Sequence, residues 1–192
     1  MVKTVGNLAK ALIGESLARN RYSAYSAIAK REGYERIAAV FAATADQEAE
    51  HAKWHLRMLH QLMGQGADIS GLEVSARVPT DLGDTAANLR AAIAGEHYEN
   101  SEMYPGFAGD AIDEGLPLIA ARLRAIAKSE ENHEGLYAGL LRELEGGTMF
   151  EREGEVVWVC RKCGHIHAGR KAPGECPSCG HPQGYFEARE TC

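Results

Sequence analysis

Seven carboxylate or imidazole side chains, Glu15, Glu48, His51, Glu96, Glu99, Glu130 and His133, and two Cys-x-x-Cys pairs are the residues of this chain with the greatest capacity for chemistry. Three of the acidic and histidine pairs, Glu48/His51, Glu96/Glu99 and Glu130/His133, share a spacing of three residues. On a helix that spacing puts two side chains roughly 60° apart around the axis, so both can address one point. Five carboxylates gathered in a helical core would each cost several kcal/mol to bury, at the order of magnitude, unless cations neutralise them. Two irons, bridged by carboxylates and capped by imidazoles, suit that ligand set. A single Glu on a helix is more often a solvated face residue. The coincidence of two Glu-x-x-His pairs with further Glu on two other segments is what favours metal.

The second constellation is Cys160-x-x-Cys163-Gly164 followed, twelve residues on, by Cys176-x-x-Cys179-Gly180. Two such knuckles present four thiolates tetrahedrally, and the glycine after each pair lets backbone N–H groups turn towards sulfur. Spacing alone accepts zinc or iron. An upstream redox site needs an electron source, and a single iron in four thiolates carries one electron where zinc carries none. Cys192 is left over as an unpaired C-terminal thiol.

The elements that must position these groups are legible in the apolar spacing. Leu8 to Leu62 reads as two long helices broken near Gly33, and the Gly- and Pro-containing stretch from Gly64 to Gly83 as a long crossover. Asp84 or Thr85 can cap a third helix running towards Met103, where Pro105-Gly106 should kink or interrupt it. A fourth begins near Leu116 and ends at Gly146-Gly147. Two helical hairpins joined by one long connection form the ferritin-like version of the four-helix bundle. The predicted fold is therefore mainly α: a bundle over residues 1–147, a linker over 148–154 and a small β/loop metal domain over 155–192, too small to be stable without its metal.

His55, His60 and His97 lack matching partners and are expected to be solvated or to stand behind the ligands. Glu50 and Glu131 are rotated about 100° from the nearest inward ligand and, with Glu102, should lie on the surface. All five cysteines fall in the last 33 of 192 residues, a distribution that suggests metal binding in a reducing cytoplasm rather than disulfides. No apolar run approaches a membrane span and no secretory signal opens the chain. The formal charge of −6 is unclustered, which argues against a nucleic-acid surface.

The chain resembles the rubrerythrin family over nearly its whole length. The runs that carry the resemblance are Gly14-Glu15-Ser16 with Ala18-Arg19-Asn20-Arg21-Tyr22, Thr44 to Glu48, Glu50 to Lys53, Gly95 to Glu99, Met103-Tyr104-Pro105, Glu130 to Glu134 and the two knuckles. The resemblance implies that Glu48 and Glu130 bridge two irons, with Glu15 on one and Glu96 and His133 on the other. It implies that Glu99 and His51 are alternative ligands of the first iron in its oxidised and reduced states. It also implies a non-haem peroxidase that reduces hydrogen peroxide to water. Electrons would come from the Cys160, Cys163, Cys176, Cys179 iron, itself fed by a rubredoxin or an NAD(P)H-dependent reductase, in a homodimer or larger assembly. Tyr22 and Tyr104 match family tyrosines near the site and would donate hydrogen bonds or protons there, or simply fill the core. Two other readings stand beside this one: a ferroxidase that handles iron, and a non-enzymatic protein with a structural zinc ribbon.

Overall fold

The computed structural model describes residues 2–189; Cys192 lies outside the described residues. Helix α1 (Val2–Arg31) and helix α2 (Glu35–Gly64) form the first hairpin, turning at Gly33, whose φ of 85° suits a residue without Cβ. Among the buried residues of α1 are Leu8, Ala11, Glu15, Ala18, Tyr22, Tyr25 and Ala29. This is an unbroken stripe at alternating three- and four-residue spacing, and Glu15 occupies a core position in the middle of it.

Helix α3 (Thr85–Tyr98) is capped by Asp84, which accepts from Ala87 N at 2.8 Å. It passes without a break into a π-helical segment, Glu99–Met103, and then into α4 (Tyr104–Asp113). The interruption expected at Pro105-Gly106 is thus displaced and different in kind. The register changes upstream of Pro105, which enters the first turn of α4, where a missing N–H costs little. The chain turns only after Asp113. Helix α5 (Pro117–Glu145) buries Ile119, Leu123, Ile126, Glu130, His133, Tyr137 and Leu140, again one stripe with ligand types at its centre.

Two apolar clusters result. One gathers Leu8, Met58, Leu62, Ala108 and Leu123; the other gathers Tyr22, Tyr25, Phe41, Leu89 and Tyr137. The acidic and histidine layer lies between them. The crossover between α2 and α3 carries no strand and is held to α1 by Tyr25, whose hydroxyl donates to Asp81 O at 2.7 Å.

The C-terminal module is a three-stranded antiparallel sheet in the order β2-β1-β3, formed by β1 (Glu151–Cys160), β2 (Ile166–Lys171) and β3 (Phe186–Ala188). The first strand starts at Glu151, inside the stretch read as linker. Contacts with the bundle order that stretch: Phe150 stacks on Tyr34 with rings 6.2 Å apart, and Arg152 pairs with Glu143 at 2.9 Å. Gly184 lies so close to Gly33 O that a Cβ there would overlap it, so the module is seated on the α1–α2 turn by backbone approach.

Candidate metal centres

The three-residue spacing on α2 and α5 and the core positions of Glu15 and Glu96 bring two groups of ligand atoms together. One is Glu15, Glu48, His51 and Glu130; the other is Glu48, Glu96, Glu130 and His133, and within each group the atoms lie within 4.8 Å of one another. Glu48 and Glu130 belong to both. Glu15, Glu48, Glu96 and Glu130 are all at most 1 % exposed. His51 Nδ1 stands 2.9 Å from Glu48 Oε2, 2.9 Å from Glu130 Oε1 and 3.7 Å from Glu15 Oε1. His133 Nδ1 stands 2.7 Å from Glu130 Oε2, 3.2 Å from Glu48 Oε1 and 3.4 Å from Glu96 Oε2.

Among the described residues, Glu15 Oε2, Glu48 Oε1, Glu96 Oε2 and both Glu130 oxygens are buried without a hydrogen-bond partner. One imidazole N–H cannot serve three carboxylates, whereas a cation can. His133 Nε2 lies 2.9 Å from Gln47 Oε1, a contact that favours the proton on Nε2 and leaves the Nδ1 lone pair facing the carboxylates. The residues therefore fit two divalent ions.

The charge balance of the metal-free cluster agrees. Burial, then the neighbouring Glu99, Glu48 and Glu130, raise the Glu15 carboxyl well above its ordinary range. Burial, then Glu96, Glu130 and Glu48, do the same to Glu99. Burial alone would raise Glu48 too, but His133 and His51 hold it down at about 2. The imidazoles respond in kind. Burial opposes their charge, yet Glu130 and Glu48 outweigh it and push His51 up to about 9, while Glu130, Glu48 and Glu96 push His133 up to about 12. Protons take the places that cations would fill.

Tyr22 donates to Glu96 Oε1 and Tyr104 to Glu15 Oε1. Burial, then Glu96 for Tyr22 and Glu15 for Tyr104, raises both phenols well above their usual range, so both remain donors. The π segment explains how Tyr104 arrives. On a uniform helix, at 100° per residue, Tyr104 would sit about 80° from Glu96; one inserted residue reduces this to about 20° on the other side. Asn100 lies inside the segment and its Nδ2 donates to Glu96 O at 2.8 Å and to Glu134 Oε2 at 2.7 Å.

Glu99 joins neither group of ligand atoms. It is half-buried and lines, with Gly14, Arg21, Met103 and the crossover residues Arg77 to Asp81, a cavity of about 490 Å³. A second cavity, of about 350 Å³, opens between α2 and α5 on to His51 and His133, with Gln47, Lys128, Ser129 and Asn132 around it. His60, His97, Glu50, Glu102 and Glu131 are exposed, as expected of residues away from the cluster. His55 is different: it is fully buried, 2.9 Å from Tyr104 Oη and 3.7 Å from Glu15 Oε1. Sequence spacing carried a signal for it, four residues after His51 on the same helix face, but no Glu at matching spacing marks it as a ligand.

In the C-terminal module all four thiols converge, with Cys160 and Cys179 Sγ atoms 3.9 Å apart and Cys163 and Cys176 Sγ atoms 3.6 Å apart. Metal–sulfur bonds of about 2.3 Å at tetrahedral angles require sulfur separations of about 3.8 Å, so the cage fits one ion. Gly164 and Gly180, at φ of 77° and 70°, close the knuckles by donating to Cys160 O and Cys176 O, both at 2.8 Å. The His165 N–H, and then Cys179, lower the Cys163 thiol to about 7, making it ready to bind as thiolate.

Fold and sites together define a ferritin-like protein with a two-metal carboxylate centre and an appended four-thiolate centre. The rubrerythrin family profile matches residues 6–141, and the profile of the rubredoxin-like domain of rubrerythrin matches residues 158–187. The chain belongs to the rubrerythrin family. It is 48 % identical to rubrerythrin of Porphyromonas gingivalis, covering 98 % of this chain and 91 % of that one, and 44 % identical to rubrerythrin of Nitratidesulfovibrio vulgaris, covering 96 % and 93 %. Among solved structures it is similar to the fully reduced, all-ferrous state of nigerythrin, with a TM-score of 0.64 at 28 % identity over 97 % of this chain and 86 % of that one. Both ligand sets are thus those of an iron protein of oxidoreductase kind. No helix among the described residues is long and apolar enough to cross a membrane.

Proposed function

We propose that the protein reduces hydrogen peroxide to water at the carboxylate centre, with electrons relayed through a rubredoxin-type iron in the four-thiolate module. The observation that carries this reading is the fifth carboxylate: Glu99 stands beside the cavity, outside the ligand groups, while His51 lies within one of them. A site built only to hold or pass iron has no use for a spare carboxylate at this position. When bound, two ferrous ions supply the two electrons that, with two protons, convert one peroxide into two waters.

The chain's own contribution is positioning and proton control. Glu48 and Glu130, shared by both groups, hold the two positions together; Glu15 and His51 complete one and Glu96 and His133 the other. Gln47 orients the His133 ring. Tyr22 and Tyr104, protonated throughout the neutral range, keep donor hydrogens on Glu96 and Glu15 at the rim of the centre. The Glu99 cavity gives a small oxidant a way in, and the apolar clusters on either side exclude bulk water.

Sixteen residues of α1, about 24 Å at 1.5 Å each, separate Glu15 from the end of the helix where the four-thiolate module is seated. Such a separation favours delivery of electrons from a second copy of the chain, hence a homodimer or larger assembly. The external donor would be a rubredoxin or an NAD(P)H-dependent reductase in a reducing cytoplasm. The test is anaerobic reduction of iron-loaded protein followed by stopped-flow addition of stoichiometric hydrogen peroxide. Rapid reappearance of the ferric thiolate and ferric carboxylate absorptions at three irons per chain supports the peroxidase. Inertness of the iron-loaded protein to peroxide refutes it, as does a thiolate cage that holds zinc in a protein inert to peroxide; zinc alone can occupy the four-cysteine site of recombinant protein.

A further inference from the structure

Among the described residues, His55 is the one fully buried histidine that the proposed chemistry leaves unused. It follows His51 by one turn of α2, and its ring lies nearly parallel to that of Tyr104, 15° from it with centroids 5.8 Å apart. Its Nε2 is 2.9 Å from Tyr104 Oη, and its Nδ1 is buried without a hydrogen-bond partner. Tyr104 has one hydroxyl proton and gives it to Glu15. The short contact to His55 can then be a hydrogen bond only if Nε2 carries a proton and donates to the phenol oxygen. The opposite tautomer would bury an unpaired Nδ1–H and set two lone pairs against each other, which is the costlier arrangement.

We infer that His55 is a positioning residue of the carboxylate centre: by donating from Nε2 to Tyr104 Oη, it fixes the Tyr104 proton on Glu15 Oε1. Glu15 is thereby oriented with Oε2, which has no other partner, free for the metal. The chain of donors runs His55 to Tyr104 to Glu15 and spans α2, α4 and α1. This inference rests on the two-metal reading of the site.

Anaerobic titration of the metal-free full-length protein with Co²⁺ tests it without turnover. The thiolate-to-cobalt absorption of the four-cysteine cage serves as an internal control, because no variant touches it. His55→Leu is expected to weaken Co²⁺ binding at the carboxylate centre roughly tenfold, the lower end of the loss seen when a hydrogen-bond partner of a metal ligand is removed, because it acts on Glu15 through Tyr104. His55→Gln, which keeps an N–H donor at similar reach, should restore most of that loss. In a Tyr104→Phe background His55→Leu should have no further effect, because its influence passes through the phenol. A role in packing alone would lower the thermal midpoint of both variants and leave the affinity difference between Leu and Gln absent.

Unchanged affinity in His55→Leu, or a full additional loss on top of Tyr104→Phe, would overturn the inference. If His55→Leu does not fold, ¹⁵N-histidine NMR of the zinc-loaded wild type decides: Nε2–H at His55 supports the inference and Nδ1–H refutes it. A wild type that takes up Co²⁺ at the thiolates alone would instead sink the two-metal reading itself.

Discussion

Removing the metals should make the stability of the helical domain fall as pH rises, because Glu96 takes up a proton on folding. Burial raises its carboxyl from 4.5 to about 7; His133 opposes that shift, and Glu48 and Glu130 add to it. Between those values the folded chain binds a proton that the unfolded chain does not, so stability declines with rising pH. At 1.36 kcal/mol per pH unit, the window from 4.5 to about 7 corresponds to about 3 kcal/mol, of the size of a quarter or more of a typical folding free energy. Glu15 and Glu99, raised in the same direction, add to the decline. So do His51 and His133, whose contribution is complete below 6.5 and is lost as pH rises through about 9 and about 12. Glu48 acts oppositely: held at about 2, it stabilises fully above 4.5 and its contribution is lost only in stronger acid. The chelated protein should therefore be most stable near pH 5 and several kcal/mol weaker at pH 8. Urea unfolding followed by far-ultraviolet circular dichroism measures this directly. Metal-loaded protein should show the reverse slope, since ligands must lose their protons to bind. A chelated bundle as stable at pH 8 as at pH 5 would refute the assignment of protons to the cluster.

Three further outcomes follow from the geometry. Glu99→Ala should keep both metals of the carboxylate centre, since Glu99 lies outside the two ligand groups, and should slow peroxide turnover; loss of metal on analysis would make Glu99 a permanent ligand instead. Cys163→Ser should empty or weaken the thiolate cage and block re-reduction, while peroxide still oxidises a chemically reduced carboxylate centre; unaltered NADH-coupled turnover would count against the relay. Gly184→Ala should force the module off the α1–α2 turn at a cost of about 1–3 kcal/mol, visible as faster proteolysis near residues 146–150. Undiminished protection there would show that the seat tolerates a Cβ.

Much of the fold was legible because its signals are local. The heptad-like stripes of α1 and α5 are written in residue type, and a Glu or His at a stripe's centre reads as a ligand because a core position is otherwise expensive for it. The four-cysteine cage is the clearest instance: two knuckles and their glycines fix four sulfurs whatever surrounds them. The register change at Glu99–Met103 was not legible in this way. Pro105 pointed to a break, but an extra residue in a helical turn leaves no mark in residue spacing, and only its consequence, Tyr104 facing Glu15, reveals it.

The sequence alone thus pointed to the candidate ligand residues, the order of the helices and the family to which they belong, since each depends on residue type at short separation. Tertiary structure decided what depends on distances across the fold. It placed His51 inside the cluster and Glu99 outside, joined His55 to Glu15 through Tyr104, and seated the four-thiolate module on Gly33. The physical reason is the same in each case: a buried polar atom takes its meaning from the partner it meets, and those partners lie far away along the chain.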